Sequence, residues 1–352
     1  MFSSAPTAAL DFFPEAVLQA RQGLLTYANT LARHYLPQLE EGKPLPPCLD
    51  LPLTAPAGAG CFAHGSGSYA FSAAAEGDTV TILFHPAPQT ALTDLQLEGV
   101  SGQLREFLND MLLDFGSQTV PGAQAPDPET QAGFVRSCHR MFRLVDNLEY
   151  LRRAGSGEGI PCRSATLDLA GLCRQLTRDA GDLLSQAGIA LHYDTDLTSL
   201  LLPGDGALLR RLLLELVANS ARRLKGGSIT LSLRRRGQRA VLTLADTGDA
   251  LSPRQLAALL QQDTDQAIPM PGQGAGLGLD IARHIVALHS GSLLIQWGEA
   301  SPVILLSLPL GPLDPHASLR TPTWDTGAGL DPILVGLSDV LPPEAFSLEG
   351  LD

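Results

Sequence analysis

Glycines at positions 272, 274, 276 and 278 alternate through GQGAGLGL and run straight into DIARHIVALHSG, a stretch patterned as a helix. Glycine frees the backbone to turn its N–H groups toward a single point. The helix that follows brings its positive N-terminus to the same place, which suits a polyphosphate. A glycine cluster by itself is weak evidence. Two further boxes stand upstream of it: ELVANSARR (Glu215–Arg223) and ADTGDAL (Ala245–Leu251).

Glu215 and Asn219 lie four residues apart and therefore project from one face of a helix. The opposite stripe, Leu209, Leu212, Leu213, Leu216 and Val217, is apolar enough to be buried. An Asn carbonyl oxygen can serve Mg²⁺, which takes oxygen ligands and keeps several waters. A carboxylate one turn earlier can orient a metal-bound water or polarise an attacking group. Asp246 ends the apolar strand AVLTLAD, and Gly248 just beyond it permits close approach of a ring to the backbone.

The three boxes, in this order and at these spacings, resemble the nucleotide site of the GHKL ATPases: histidine kinases, type II topoisomerases, mismatch-repair ATPases and a heat-shock chaperone of the same fold. The resemblance covers roughly 167–310 and implies a Bergerat-type α/β sandwich that takes ATP and Mg²⁺. It implies Glu215 as the catalytic carboxylate, Asn219 as the Mg²⁺ contact through the phosphates, Arg222 as a phosphate contact and Asp246 as the acceptor of the adenine amino group. Gly248 falls beside the base. Gly272, Gly274, Gly276, Leu277 and Gly278 form the phosphate loop. Two positions depart from the pattern: Ala250 stands where D-x-G-x-G has its second glycine, and Leu259 and Leu260 replace an aromatic of the lid.

Upstream, Leu97, Val100, Leu104, Leu108, Met111 and Phe115 repeat at steps of three and four. After a loop at 119–128, Phe134, Cys138, Met141, Val145, Leu148 and Leu151 do the same. Two such helices read as an antiparallel hairpin that a second copy completes into a four-helix bundle; packing on the chain's own domains is the alternative. The hairpin before the ATPase resembles sensor histidine kinases, which implies a homodimer and a response-regulator partner. In that family the first helix carries the phosphorylated histidine followed by an acid. Here VSGQLREFLNDM places Gly102 and Gln103 at those positions, so the expected acceptor is missing. His139 on the second helix is the nearest substitute.

The fold class expected is α+β, with a small mixed N-terminal domain at 1–90, the hairpin at 91–155, the ATPase at 160–310 and an acidic, proline-rich tail at 311–352. Leu24–Leu45 resembles the middle of a PAS sensor domain; a ligand-free cap is the alternative. Phe13–Tyr35 has a helical pattern, and Ser68–His85 alternates around Glu76-Gly77-Asp78 as a hairpin. Tail composition predicts disorder, although 333–337 and 340–341 could dock as short apolar runs.

A net charge of −13 argues against nucleic acid as partner. Nine of the 24 Lys and Arg nevertheless fall between Arg210 and Arg239, either as a solvated face or as a local field for phosphate. Five scattered cysteines without metal spacing, no signal peptide and no long apolar run predict a cytoplasmic protein with no membrane span. Three readings follow: a degenerate kinase-like protein that binds ATP and signals through conformation, an active kinase with another acceptor, or a dimeric module with a vestigial site.

Overall fold

The computed structural model describes residues 10, 13–50, 53, 55–65, 67–87, 99–100, 102–105, 107–108, 128–156, 159–249, 277–297, 301–312 and 330–347. Twelve strands and six helices are described: β1 (Ala16–Arg21), β2 (Leu24–Ala28), α1 (Thr30–Tyr35), β3 (Ala57–His64), β4 (Gly67–Glu76), β5 (Thr79–Pro86), α2 (Pro128–Gly155), β6 (Ala165–Asp168), α3 (Leu169–Gln186), β7 (Ile189–Thr195), β8 (Leu201–Gly204), α4 (Gly206–Ala221), β9 (Gly227–Arg236), β10 (Arg239–Asp246), α5 (Leu277–Leu288), β11 (Ser292–Trp297), β12 (Val303–Pro309) and α6 (Pro332–Leu337). A 3₁₀ turn follows at Pro343–Phe346. The protein is α+β.

The C-terminal half is a layered sandwich. β7, β9, β10, β12 and β11 form its sheet, with β7–β9 parallel and the rest antiparallel. α3, α4 and α5 supply the helical layer, and their apolar stripes fill one core with the sheet's inner face. In α3 that stripe is Leu169, Leu172, Cys173, Leu176, Ala180 and Leu184, which recur at helical spacing. Both α3 and α4 begin at an aspartate, Asp168 and Asp205, whose side chain accepts from the first-turn N–H groups.

The N-terminal strands extend the same sheet, which runs β2-β1-β5-β4-β3-β11-β12-β10-β9-β7. β3 and β11 join the halves in register from Phe62↔Ser292 to Ala57↔Trp297. A Cβ at Gly60 would run into the Leu293 carbonyl, so the close approach of these strands requires glycine there. The hairpin read from Ser68–His85 is present as β4 and β5. The helical pattern read over Phe13–Tyr35 is a correction: two strands occupy 16–28, and only 30–35 is helical. Gln22 and Gly23, both at positive φ, turn the chain between the strands. Ala16, Leu18 and Ala20 then bury one strand face, an alternation that the helical template also accommodates.

Most of the first hairpin helix read over 95–115 lies outside the described residues; 99–100, 102–105 and 107–108 are helical. The second helix is α2. Leu151 of its apolar seam is buried in the main core and Met141 and Leu148 pack against that core, which is the packing on the chain's own domains given as the alternative. Leu144 and the polar Ser137, His139, Arg143, Asn147 and Tyr150 also face inward, while Phe142 and Val145 are half exposed. Polar groups can be buried there because they are paired: Asn147 accepts from Arg211 at 2.9 Å, and Tyr150 shares a hydrogen bond of 2.9 Å with His284.

The tail departs from expected disorder over 330–347. Asp331 caps α6, and Ile333, Leu337, Leu341 and Phe346 are buried in the main core. Average composition hides this, because a few apolar residues spaced to meet one surface suffice to dock a short segment. Among the described residues, no helix is long and apolar enough to cross a membrane.

Candidate nucleotide site

α4 carries the first box. Its apolar side buries Leu209, Leu212, Leu213, Leu216 and Val217, which turns Glu215 and Asn219 toward α2 and the start of α5. Gly278, in the first turn of α5, faces this pair: a Cβ there would lie 2.6 Å from Glu215 Oε2 and 3.8 Å from Asn219 Oδ1. The start of α5 thus meets the acidic–amide pair, and a larger residue at 278 would have to displace the Glu215 carboxylate. Leu277 beside it is buried and seats the helix start. Gly272, Gly274 and Gly276 lie outside the described residues.

Both polar groups of α4 already have cationic partners. Arg143 of α2 donates from Nη2 to Glu215 Oε2 at 2.9 Å, with both side chains almost fully buried. Arg222, which caps the C-terminus of α4, donates to Asn219 Oδ1. Burial, and then repulsion from Arg143, push the Arg222 guanidinium down to about 10 despite nearby Asp339 and Glu215. An arginine in that condition is short of negative charge.

At the other end, Asp246 closes β10. Its carboxylate is almost wholly buried and accepts from Arg223 Nη2 at 2.8 and 2.6 Å, from Gly248 N–H at 3.0 Å, and from the Ser301 hydroxyl. A Cβ at Gly248 would press on Asp246 Oδ1 and Leu224, which accounts for glycine at this position.

His139 is buried. It donates from Nδ1 to the Val135 carbonyl at 2.8 Å, and its ring lies against Phe346. Gly102 is exposed on its helical stretch, with nothing within 4 Å of a Cβ built there. The basic stretch 210–239 divides: Arg222 and Arg223 bond Asn219 and Asp246, whereas Arg234 makes an exposed ion pair with Asp194.

Residues 204–312 match the family of histidine kinase-, DNA gyrase B- and HSP90-like ATPases. The chain carries a GHKL ATPase domain of the histidine-kinase type. Over 193 residues it is 28% identical to the signal transduction histidine-protein kinase BaeS of Escherichia coli K12, covering 54% of this chain and 41% of BaeS. Over 206 residues it is 29% identical to the adaptive-response sensory kinase SasA of Thermosynechococcus vestitus, covering 56% of this chain and 51% of SasA. The matched part therefore spans about half the length of these relatives or less. Among solved structures, full-length ShkA in complex with AMPPNP is similar at a TM-score of 0.46 and 21% identity, covering 64% of this chain and 48% of that one.

The residues around the site that spacing did not reveal are Arg223 and Ser301 within the matched stretch and Arg143 on α2, outside it. Arg143 lies 72 residues from Glu215, and Ser301 lies 55 from Asp246. Only folding brings them together.

Proposed function

We propose that this chain binds ATP with Mg²⁺ between α4, the end of β10 and the start of α5, and acts as a kinase-like signalling protein of the two-component type. The observation that carries this is Gly278 set against Glu215 and Asn219. An amide oxygen and a carboxylate converge there on a glycine-bounded helix N-terminus, the donor set that a magnesium-bound triphosphate needs. Mg²⁺ takes oxygen ligands and is held by few protein groups together with substrate phosphates. Bound Mg²⁺ would neutralise phosphate charge. Asn219 and Glu215 would hold it and its waters, Arg222 would contact phosphate, and Asp246 would accept the adenine amino group.

The kinase function is read as degenerate. Gly102 offers no side-chain nitrogen to phosphorylate, and Gln103 offers no base. His139, the substitute acceptor, has Nδ1 engaged and its ring covered. Signalling then proceeds through conformation and contact, with a second copy of the chain and a response regulator as partners. Titration calorimetry with ATP, with and without Mg²⁺, tests the binding; transfer of γ-phosphate label to the chain, lost in Asn219→Ala, would overturn the degenerate reading. Label that survived His139→Ala would remove His139 as acceptor.

The saturation of Asp246, Glu215 and Asn219 by the chain's own groups favours one alternative, a dimeric interaction module with a vestigial site. Magnesium-dependent ATP binding would exclude it.

A further inference from the structure

The C-terminal segment reaches the site just described. α6 sets Ile333 and Leu337 into the core beside α4, and a Cβ at Gly336 would overlap Leu214 of α4. Beyond it, Leu341 is buried and Phe346 seats on His139 of α2. Between these anchors, Asp339 is presented to three guanidiniums. Arg143 Nη1 approaches its carboxylate at 2.7 Å, Arg140 Nε at 3.1 Å and Arg222 Nη1 at 3.6 Å. Arg136 adds a hydrogen bond to the Ser338 carbonyl at 3.2 Å.

Two of those arginines are the ones that hold the nucleotide-site pair, Arg143 on Glu215 and Arg222 on Asn219. Cations brought together out of water need an anion in every state of the protein. Among the described residues, Arg143 ion-pairs with both Glu215 and Asp339, and Arg222 reaches Asp339. A phosphate group offers arginine the same chemistry as the Asp339 carboxylate, with more charge and more acceptor oxygens.

We propose that residues 331–347 form an intramolecular strap that competes with the phosphates of the nucleotide. When docked, Asp339 fixes Arg143 and Arg222 on Glu215 and Asn219 and closes the site. When displaced, it leaves the same arginines for phosphate. This rests on the reading that Glu215 and Asn219 face ATP.

The test is calorimetric titration of Mg-ATP into the full chain and into two variants that keep every site residue. Asp339→Asn removes the competing charge, and Gly336→Phe pries α6 from Leu214 while leaving the charges in place. Both variants should bind Mg-ATP about tenfold more tightly than the parent. In the parent chain, saturating Mg-ATP should speed amide hydrogen exchange across 333–346. Equal affinities in all three chains, with unchanged exchange, overturn the strap and leave the ATP reading standing. No binding by any of them overturns both. Should Asp339→Asn fail to fold, Gly336→Phe and the exchange of the parent chain decide.

Discussion

Arg223 holds the carboxylate of Asp246 through one nitrogen, at 2.8 and 2.6 Å to its two oxygens. The residue expected to read adenine is thus already read by the protein. A base can reach Asp246 only if Arg223 turns away, and Arg223 is the more exposed of the two. Arg223→Ala should therefore tighten ATP several-fold and leave GTP unchanged. It should also cost about 1–3 kcal/mol of stability, because a charged hydrogen bond to a buried carboxylate is lost. Parallel nucleotide titrations and denaturant unfolding measure both effects. Weaker ATP binding in the variant would show that Arg223 assists the base rather than competing with it.

Asn219→Ala should remove most of the magnesium dependence of ATP binding while changing the fold little. Its side chain packs no core: Leu212, Leu216 and Val217 on the other face hold α4. A calorimetric titration with and without Mg²⁺ should show the two curves converge. A gap as wide as in the parent chain would move the metal contact elsewhere.

The boxes at 215–223, 245–251 and 272–279 stand out in the sequence because each demands special residues at short spacing, and the family match at 204–312 spans all three. Part of the sandwich around them was legible because Leu209, Leu212, Leu213, Leu216 and Val217 mark the buried side of α4. The N-terminal strands were less so. Ala16, Leu18 and Ala20 alternate over too few residues to decide between strand and helix, and only the Gln22-Gly23 turn settles it. Nothing local marks Arg143 as the partner of Glu215 or Asp339 as the partner of Arg143. Such pairs depend on where α2 and the tail dock, and composition averages erase the spacing of Ile333, Leu337 and Leu341 that docks the tail.

α2 leaves Phe142 and Val145 about half exposed, at 52% and 51%, and Leu108 on the partly described helix is 52% exposed. Half-exposed apolar side chains on a hairpin offer a surface for a second copy of the chain, and Leu108 and Val145 belong to the apolar seams read from the sequence. The double variant Phe142→Glu, Val145→Glu should shift the protein from dimer to monomer in light scattering, with a melting temperature nearly unchanged at low protein concentration. A parent chain that is monomeric at all concentrations would rule the seam out.

Gly102 has room for a larger side chain. If only chemistry is missing at this position, Gly102→His with Gln103→Glu should take up acid-labile label from γ-labelled ATP where the parent chain takes none. The added carboxylate should raise the rate about 10²-fold or more over Gly102→His alone, the scale of general-base assistance. No label in either variant would place the defect in the delivery of ATP to the helix.

His289 ties the end of α5 to the start of α4. Its Nδ1–H donates to the Ile285 carbonyl at 2.8 Å, and its Nε2 accepts from the N–H of Asp205, the residue that caps α4, at 3.0 Å. A ring that accepts at Nε2 must be neutral there, and burial holds its pKa below 6.5 despite the Ile285 carbonyl and Asp205. The unfolded chain therefore takes up this proton at a higher pH than the folded one. Stability from the neutral ring is complete above about pH 6.5 and falls as the pH drops toward the folded value, where the loss levels off. Melting temperature should decline between pH 7 and pH 5. In His289→Gln, which cannot titrate, the decline should be shallower, with a lower starting value at pH 7 because the amide replaces the ring's contacts imperfectly. Parallel slopes in the two proteins would assign the acid sensitivity to other groups. His284, also depressed by burial and joined to Tyr150, is the next to test.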